Sequence, residues 1–101
     1  EEDLPVREEL AIIAGAWPAV AIMIDDFQVP DDTGYGHDDF GPGKALVEDY
    51  LPSEELSGFS LFYPKAPSHL ESGKRRGCCV LLGPGLAEFD DFETLKRTRV
   101  F

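Results

Sequence analysis

Two adjacent aspartates, Asp25 and Asp26, directly follow the apolar run 19–24 and are the residues best placed to do chemistry. A continuously apolar run of this length predicts a strand that is buried on both faces. Two carboxylates at its end cannot be buried without partners, so they must face water, a cation or a polar ligand. Because ligands of open α/β sheets bind beyond the carboxyl ends of the strands, this position predicts a binding site.

The segment after this pair is unusually acidic. Residues 25–39 contain six aspartates, and the four beyond the pair are Asp31, Asp32, Asp38 and Asp39. Prolines and glycines punctuate residues 25–42 and predict a loop longer than most, which in a compact domain usually has a function. Two interpretations stay open, a solvated loop or a calcium site, although the spacing fits no EF-hand.

Three other residues of this loop could take part in a site. His37 lies among the acids and could be a general base or a metal ligand, or simply a surface histidine. Tyr35 and Phe40 either line a substrate pocket or anchor the loop on the core. Ser68 and Ser72 have no histidine and aspartate arranged as in a hydrolase triad, so that chemistry is not expected.

The net charge of −11 is unevenly distributed over the 101 residues. Residues 1–55 hold fifteen acids against two bases, and residues 56–101 hold five acids against seven bases, which gives −13 and +2. An excess of acids repels nucleic acid and anionic membrane, so neither is an expected partner. The basic run 74–76 either binds an anionic substrate group or a carboxylate of the acidic half, or it is a solvated turn.

The two cysteines, Cys78 and Cys79, are adjacent within an apolar run. Strand alternation points them to opposite faces, and neighbours can form neither an unstrained disulfide nor a zinc motif. They are expected to be small buried residues of a cytoplasmic protein. No apolar stretch approaches the roughly 18 residues of a membrane span.

The pattern of apolar residues and chain breakers predicts an α/β fold. An antiparallel pairing of the last two strands is expected because the polar segment between them shows no helical pattern. A strand so short of neighbours leaves an apolar edge, which predicts either a larger sheet or a homodimer. The predicted elements are a helix at 4–16, a strand at 19–24, a helix at 43–51, strands at 58–63 and 77–82, and a short helix within 86–101.

Several of these segments resemble the second half of class I S-adenosylmethionine-dependent methyltransferases. The resemblance is carried by residues 22–27, 29–30 and 34–44, and the later segments 63–68 and 71–77 are similar to the closing strand pair of that group. It implies a partial Rossmann-like sheet, with one buried parallel strand and a C-terminal antiparallel strand pair, flanked by helices. Residues 1–101 would then form a single domain, the C-terminal portion of a larger methyltransferase domain.

The resemblance also implies a function and a set of site residues. In the metal-dependent O-methyltransferases, an acidic pair ends the fifth strand, and Asp25 and Asp26 occupy the matching place. They would hold Mg²⁺, which would orient the hydroxyl of a small-molecule acceptor beside S-adenosylmethionine. The loop would cover the acceptor, with His37 as a catalytic base. The implied substrate-binding residues are Tyr35, Asp38, Asp39 and Phe40.

One element of that family is not found in this sequence. The glycine-rich turn that holds the methyl donor belongs to the first strand and helix of the fold, and no such motif occurs here. The donor site would therefore require a missing N-terminal half. Two alternatives stay open: a non-catalytic acidic module that binds a divalent cation or a basic partner, and a nucleotide-sugar transferase that uses the acidic pair on Mn²⁺.

Overall fold

Four strands form one sheet in which every neighbouring pair is antiparallel, in the order β1-β3-β2-β4. The computed structural model describes residues 5–32, 34–39, 45–70, 76–89 and 91–101. Its main elements are α1 (Pro5–Ala16), β1 (Ala21–Asp25), β2 (Ser60–Pro64), β3 (Cys78–Leu82) and β4 (Leu95–Val100). Since β1 and β2 are both antiparallel to β3, they run parallel to each other on its two sides.

The Rossmann-like prediction is therefore wrong. The predicted central parallel strand is β1, which pairs only with β3 among the described residues, and that pairing is antiparallel. An apolar run does not require burial on both faces. Ile24 faces the core and is 6% exposed, whereas its neighbour Met23 is 63% exposed. The run thus combines one core-facing side with apolar residues that stay in contact with water.

Two of the three predicted helices are also wrong. The segment predicted as a helix at 43–51 contains only a single 3₁₀ turn, Glu48–Tyr50, and Val47 before it is extended; residues 43 and 44 lie outside the described part. The terminal segment is a strand, β4, because its main chain completes the hydrogen bonding of β2. Phe92, which lies in the segment predicted as this terminal helix, packs its ring edge-on against Phe62, with centroids 5.2 Å apart.

The first helix and the closing strand pair are confirmed. α1 spans Pro5–Ala16 and ends where Trp17 donates its N–H to the carbonyl of Ile13 at 3.0 Å. Pro18 disfavours the helical conformation of the residue before it, so the helix cannot continue. β2 and β3 pair antiparallel, as the polar segment between them predicted.

The hydrophobic core lies on one face of the sheet. Leu10 of α1, 2% exposed, packs into it, as do Leu56 and Phe59 from the segment before β2. The strands contribute Ile24, Leu61, Tyr63, Cys79 and Leu81. On the opposite face, the segment from β3 to β4 crosses β2 and covers Phe62, which is fully buried.

The burial of two leucines predicts different losses in the free energy of unfolding when each is replaced by alanine. Replacing Leu81 in β3, which is fully buried, by alanine should lower the free energy of unfolding by about 2–5 kcal/mol, because the cavity adds to the lost burial. Leu70→Ala, at a position 69% exposed, should change it by less than about 0.5 kcal/mol. Urea denaturation followed by circular dichroism measures both, and equal effects would contradict the assignment of this face as the core.

Candidate functional site

The predicted acidic site lies at the end of the sheet where β1 ends and β3 begins. Asp26 follows β1 directly and has a positive φ of 58°, a conformation that aspartate tolerates better than most residues. The carbonyl of Asp26 accepts the N–H of Asp38 at 2.8 Å, so the far part of the loop returns to the acidic pair.

Arg76 joins the two ends of this loop. Its Nε donates to Oδ1 of Asp26 at 2.8 Å and its Nη2 donates to Oδ1 of Asp38 at 2.5 Å. The hydrogen bond to Asp26 raises the pKa of the Arg76 guanidinium, with the nearby charges of both carboxylates adding to the effect. Of the alternatives left open for the basic run, Arg76 follows the one in which it binds carboxylates of the acidic half, whereas Lys74 and Arg75 lie outside the described residues.

Main-chain hydrogen bonds connect the same three segments. The N–H of Phe27 donates to the carbonyl of Gly77 at 3.0 Å, and the N–H of Gly77 donates to the carbonyl of Gly36 at 2.8 Å. A side chain at Gly77 would collide with the carbonyl of Phe27, so only glycine permits this close approach. The three segments thus hold each other in place through both main chain and side chains.

The carboxylate of Asp32 forms a second connection between the loop and the rest of the chain. Its carboxylate accepts hydrogen bonds from Oγ of Ser68 at 2.6 Å, from N of Ser68 at 2.7 Å and from N of Gly34 at 3.0 Å. These bonds, led by the one from Ser68 Oγ, hold the pKa of Asp32 below its usual value. They tie the loop to the turn at 68–70, so the geometry gives Asp32 a structural role.

The predicted substrate-binding residues divide between the core and the surface. Tyr35 is 5% exposed and its hydroxyl donates to the carbonyl of Ala66 at 2.7 Å, so it anchors the loop. Asp38 is held by Arg76 and Asp39 is exposed. Phe40 lies outside the described residues. The structure therefore brings Asp38 to the acidic pair and directs Tyr35 elsewhere.

The remaining candidates, Asp25, His37 and Asp31, do not all lie at this end of the sheet. Asp25 is exposed, and His37 is half-buried in the stretch that returns to Asp26. Asp31 is exposed and lies apart, on the wall of a cavity of about 110 Å³ that Tyr63 and Glu48 also line. The six aspartates consequently do not form one site.

The described residues do not fit a magnesium centre. Among them, no group of three or more histidine, cysteine, aspartate or glutamate side chains is arranged to hold a metal ion. Asp26 and Asp38 each already accept a hydrogen bond from the guanidinium of Arg76. Magnesium at Asp25 and Asp26 stays a prediction, and in this geometry the cation beside Asp26 is an arginine.

A second polar cluster was not predicted from the sequence. The buried hydroxyl of Tyr63 donates to Oε1 of Glu48 at 2.9 Å, and Nη1 of Arg99 donates to Oε2 of the same carboxylate at 3.2 Å. Burial, followed by this bond to Glu48, raises the pKa of Tyr63. These residues are far apart in the chain, so no local pattern could have grouped them.

No family model, curated protein or solved structure matches this chain. In the part of the chain that the structure describes, no helix has the length and apolar character that crossing a membrane requires.

Removing the Arg76 side chain should loosen the loop without unfolding the sheet. In Arg76→Gln, we expect faster amide hydrogen exchange at Phe27 and Asp38, because the guanidinium that holds the two segments together is gone. Arg7→Gln, which removes an exposed guanidinium from α1, is the matched control and should leave both amides unchanged. Equal exchange in all three proteins would show that the main-chain bonds alone hold the loop.

The Asp32 carboxylate should make stability depend on pH. Because its folded-state pKa lies below the ordinary value of 3.8, its contribution is present above that value and is lost as the pH falls through the lower folded value. The stability difference between wild type and Asp32→Asn should therefore shrink as the pH is lowered through the ordinary value of 3.8 and further below it. Urea denaturation across this range, with the exposed neighbour as control in Asp31→Asn, measures it; a constant difference would contradict the assignment.

Proposed function

We propose that this chain supplies the acceptor side of an S-adenosylmethionine-dependent methyltransferase that acts on an oxygen of a small molecule. The observation that carries the proposal is the convergence of the segments that resemble that family. Residues 25–27, 36–38 and 76–77 meet through Arg76 and the main-chain bonds around Gly77. Residues 66–68 are joined to the same loop through Tyr35 and Asp32.

This support comes from the arrangement of the loop and not from the sheet, whose topology differs from the one the resemblance implied. Segments far apart in sequence that form one connected surface are expected at a site whose geometry must be fixed. The convergence therefore favours a binding surface at this end of the sheet.

The chemistry requires a base and an electrostatic environment suited to a cationic donor. An acceptor oxygen attacks the methyl carbon of the sulfonium, the carbon–sulfur bond breaks, and the hydroxyl proton passes to a base. His37, which is half-buried and precedes Asp38 in the chain, is the proposed base. The exposed carboxylate of Asp25 would attract the positive sulfonium and would orient the acceptor hydroxyl through a hydrogen bond.

The remaining parts of the proposal concern partners and location. The glycine-rich donor turn is absent from this sequence, so the nucleoside of the donor would be held by a second copy or by a further segment of a longer polypeptide. We place the protein in the cytoplasm, where the two free cysteines would stay reduced.

A second candidate function is a non-catalytic acidic module that binds a basic partner or a divalent cation. The hydrogen bonds of the loop aspartates favour this function. Asp26, Asp38 and Asp32 all accept hydrogen bonds from other residues of the chain, and these bonds hold the loop in place. On this interpretation the loop is a rigid acidic surface. It would bind its partner through exposed carboxylates such as Asp25 and Asp39.

Calorimetric titration with S-adenosylmethionine separates the two candidates. The methyltransferase proposal predicts donor binding, weakened about two- to fivefold in Asp25→Asn because an exposed charge pair contributes modestly. S-adenosylhomocysteine, which lacks the positive sulfonium, should bind more weakly to wild type. Asp91→Asn, at an exposed acid before β4, is the matched control, and each titration is run with and without Mg²⁺.

The opposite outcome is equally specific. If neither nucleoside binds while Mg²⁺ or Ca²⁺ does, and that cation binding is lost in Asp25→Asn, the proposal that this chain itself contacts the methyl donor is overturned and the binding module stands. Donor binding that is unaffected by Asp25→Asn would also contradict the role given to this carboxylate.

A further inference from the structure

The cavity of about 110 Å³ on the core face of the sheet combines side chains of opposite charge. Its lining comes from β2, β4, the acidic loop and the 3₁₀ turn, and it includes Pro30, Asp31, Glu48, Tyr63, Lys96 and Thr98. None of the described lining residues belongs to the surface around Arg76 that the methyl-transfer proposal uses. The cavity is therefore a separate place at which the chain could bind a small molecule.

A β-bulge in β4 brings polar residues of that strand to the cavity side of the sheet. Two consecutive residues of β2 have register partners two positions apart in β4, so one residue is extra: Leu61 pairs with Arg99, Phe62 pairs with Arg97, and Thr98 lies between. Lys96 is the partner of Tyr63 on the core face. Strand alternation would place Lys96 and Arg99 on opposite faces, and the extra residue places them on the same one.

The charge of Glu48 is already balanced within the chain. Its Oε1 accepts the hydroxyl of Tyr63 at 2.9 Å, and its Oε2 accepts Nη1 of Arg99 at 3.2 Å. The guanidinium of Arg99 also lies over the ring of Phe101, 4.4 Å from its centroid. Glu48 is consequently a fixed part of the cavity wall.

Two other charges of the cavity have no partner in the described part of the chain. The carboxylate of Asp31 and the ammonium of Lys96 form no hydrogen bond or ion pair there, either with each other or with another residue. Thr98 adds a hydroxyl whose bond to the carbonyl of Leu61 is long, at 3.4 Å. A ligand that carries both an ammonium and a carboxylate would satisfy these groups at once.

A second cavity of about 300 Å³ continues from the first, because Pro30 and Glu48 line both. Gln28, Val47 and Asp49 also line it, and its described lining contains no cation. Among the described residues, the carboxylate of Asp49 has neither a hydrogen bond nor an ion pair. This cavity therefore favours a positively charged group.

We propose that the two cavities together bind a basic α-amino acid such as lysine or arginine. The carboxylate of the ligand lies at Lys96 and Thr98, and its α-ammonium lies at Asp31. Its methylene chain passes Pro30, and its side-chain cation reaches Asp49. The sequence of charges along the cavities is thus complementary to the sequence of charges along the ligand. This inference does not depend on the methyl-transfer proposal.

Calorimetric titration with three free ligands tests the proposal. L-lysine should bind more tightly than L-norleucine, which has a similar chain without the cation, and more tightly than 1,5-diaminopentane, which has both amines but no carboxylate. The reason is that each comparison removes one of the three charges that the cavities complement. Absence of binding by L-lysine up to about 10 mM, or equal affinity for all three ligands, would overturn the proposal.

Charge-removing variants assign each ligand group to its partner. Lys96→Met keeps the apolar stem and should weaken lysine binding about two- to fivefold, because an exposed ion pair contributes modestly, but should leave binding of 1,5-diaminopentane unchanged. Asp31→Asn should weaken lysine binding by a similar factor. Asp49→Asn should reduce the preference for lysine over norleucine.

Asp91→Asn, at an exposed acid outside both cavities, is the matched control and should bind lysine as wild type does. All four substitutions are at exposed positions, and circular dichroism verifies that each variant is folded. Lysine binding that is unchanged in both Asp31→Asn and Lys96→Met would show that the ligand binds elsewhere, and the assignment of these cavities would then be wrong.

Discussion

The main-chain pairing of β3 is the constraint on which the rest of the structure depends. β3 donates and accepts hydrogen bonds on both sides, to β1 and to β2, although it follows both in sequence. Without β3, β1 would have no partner strand among the described residues and β2 would keep only β4. The core face to which Ile24, Leu61 and Leu81 contribute would then be divided. The long acidic loop is consequently closed by its contact with the start of β3, at Arg76 and Gly77.

Local signals in the sequence were sufficient for part of the fold. The periodicity of α1, the stop at Trp17-Pro18 and the polar connection before β3 each depend on neighbouring residues, and each predicted its element. The order of the strands depends on which main chains meet across long stretches of sequence. The apolar residues of β1 suit a central strand as well as an edge strand, so composition could not decide between them. The spacing of Phe89 and Phe92 likewise suits a helix. The segment that follows them is a strand because its main chain pairs with that of β2.

For the site, too, the sequence predicted what depends on neighbouring residues but not what depends on residues far apart in the chain. An aspartate pair after an apolar strand correctly indicated an unusual end of the sheet, and the basic run was correctly considered as a partner for carboxylates. What the sequence could not show is how the acids are divided among partners. Asp26 and Asp38 share Arg76, Asp32 accepts hydrogen bonds from Ser68, and Glu48 binds Tyr63 and Arg99. Each of these pairings joins residues at least 15 positions apart, and an acidic stretch read by itself indicates only negative charge.

The adjacent cysteines have opposite chemical surroundings. Burial raises the pKa of the Cys79 thiol on the core face, so it stays protonated and resists alkylation. Cys78 points to the other face, is only half-buried, and is the register partner of Asp25 across the β1–β3 pair. The protein thus carries a natural attachment point for a spectroscopic label, one strand away from the exposed carboxylate, and no residue has to be introduced to place it there.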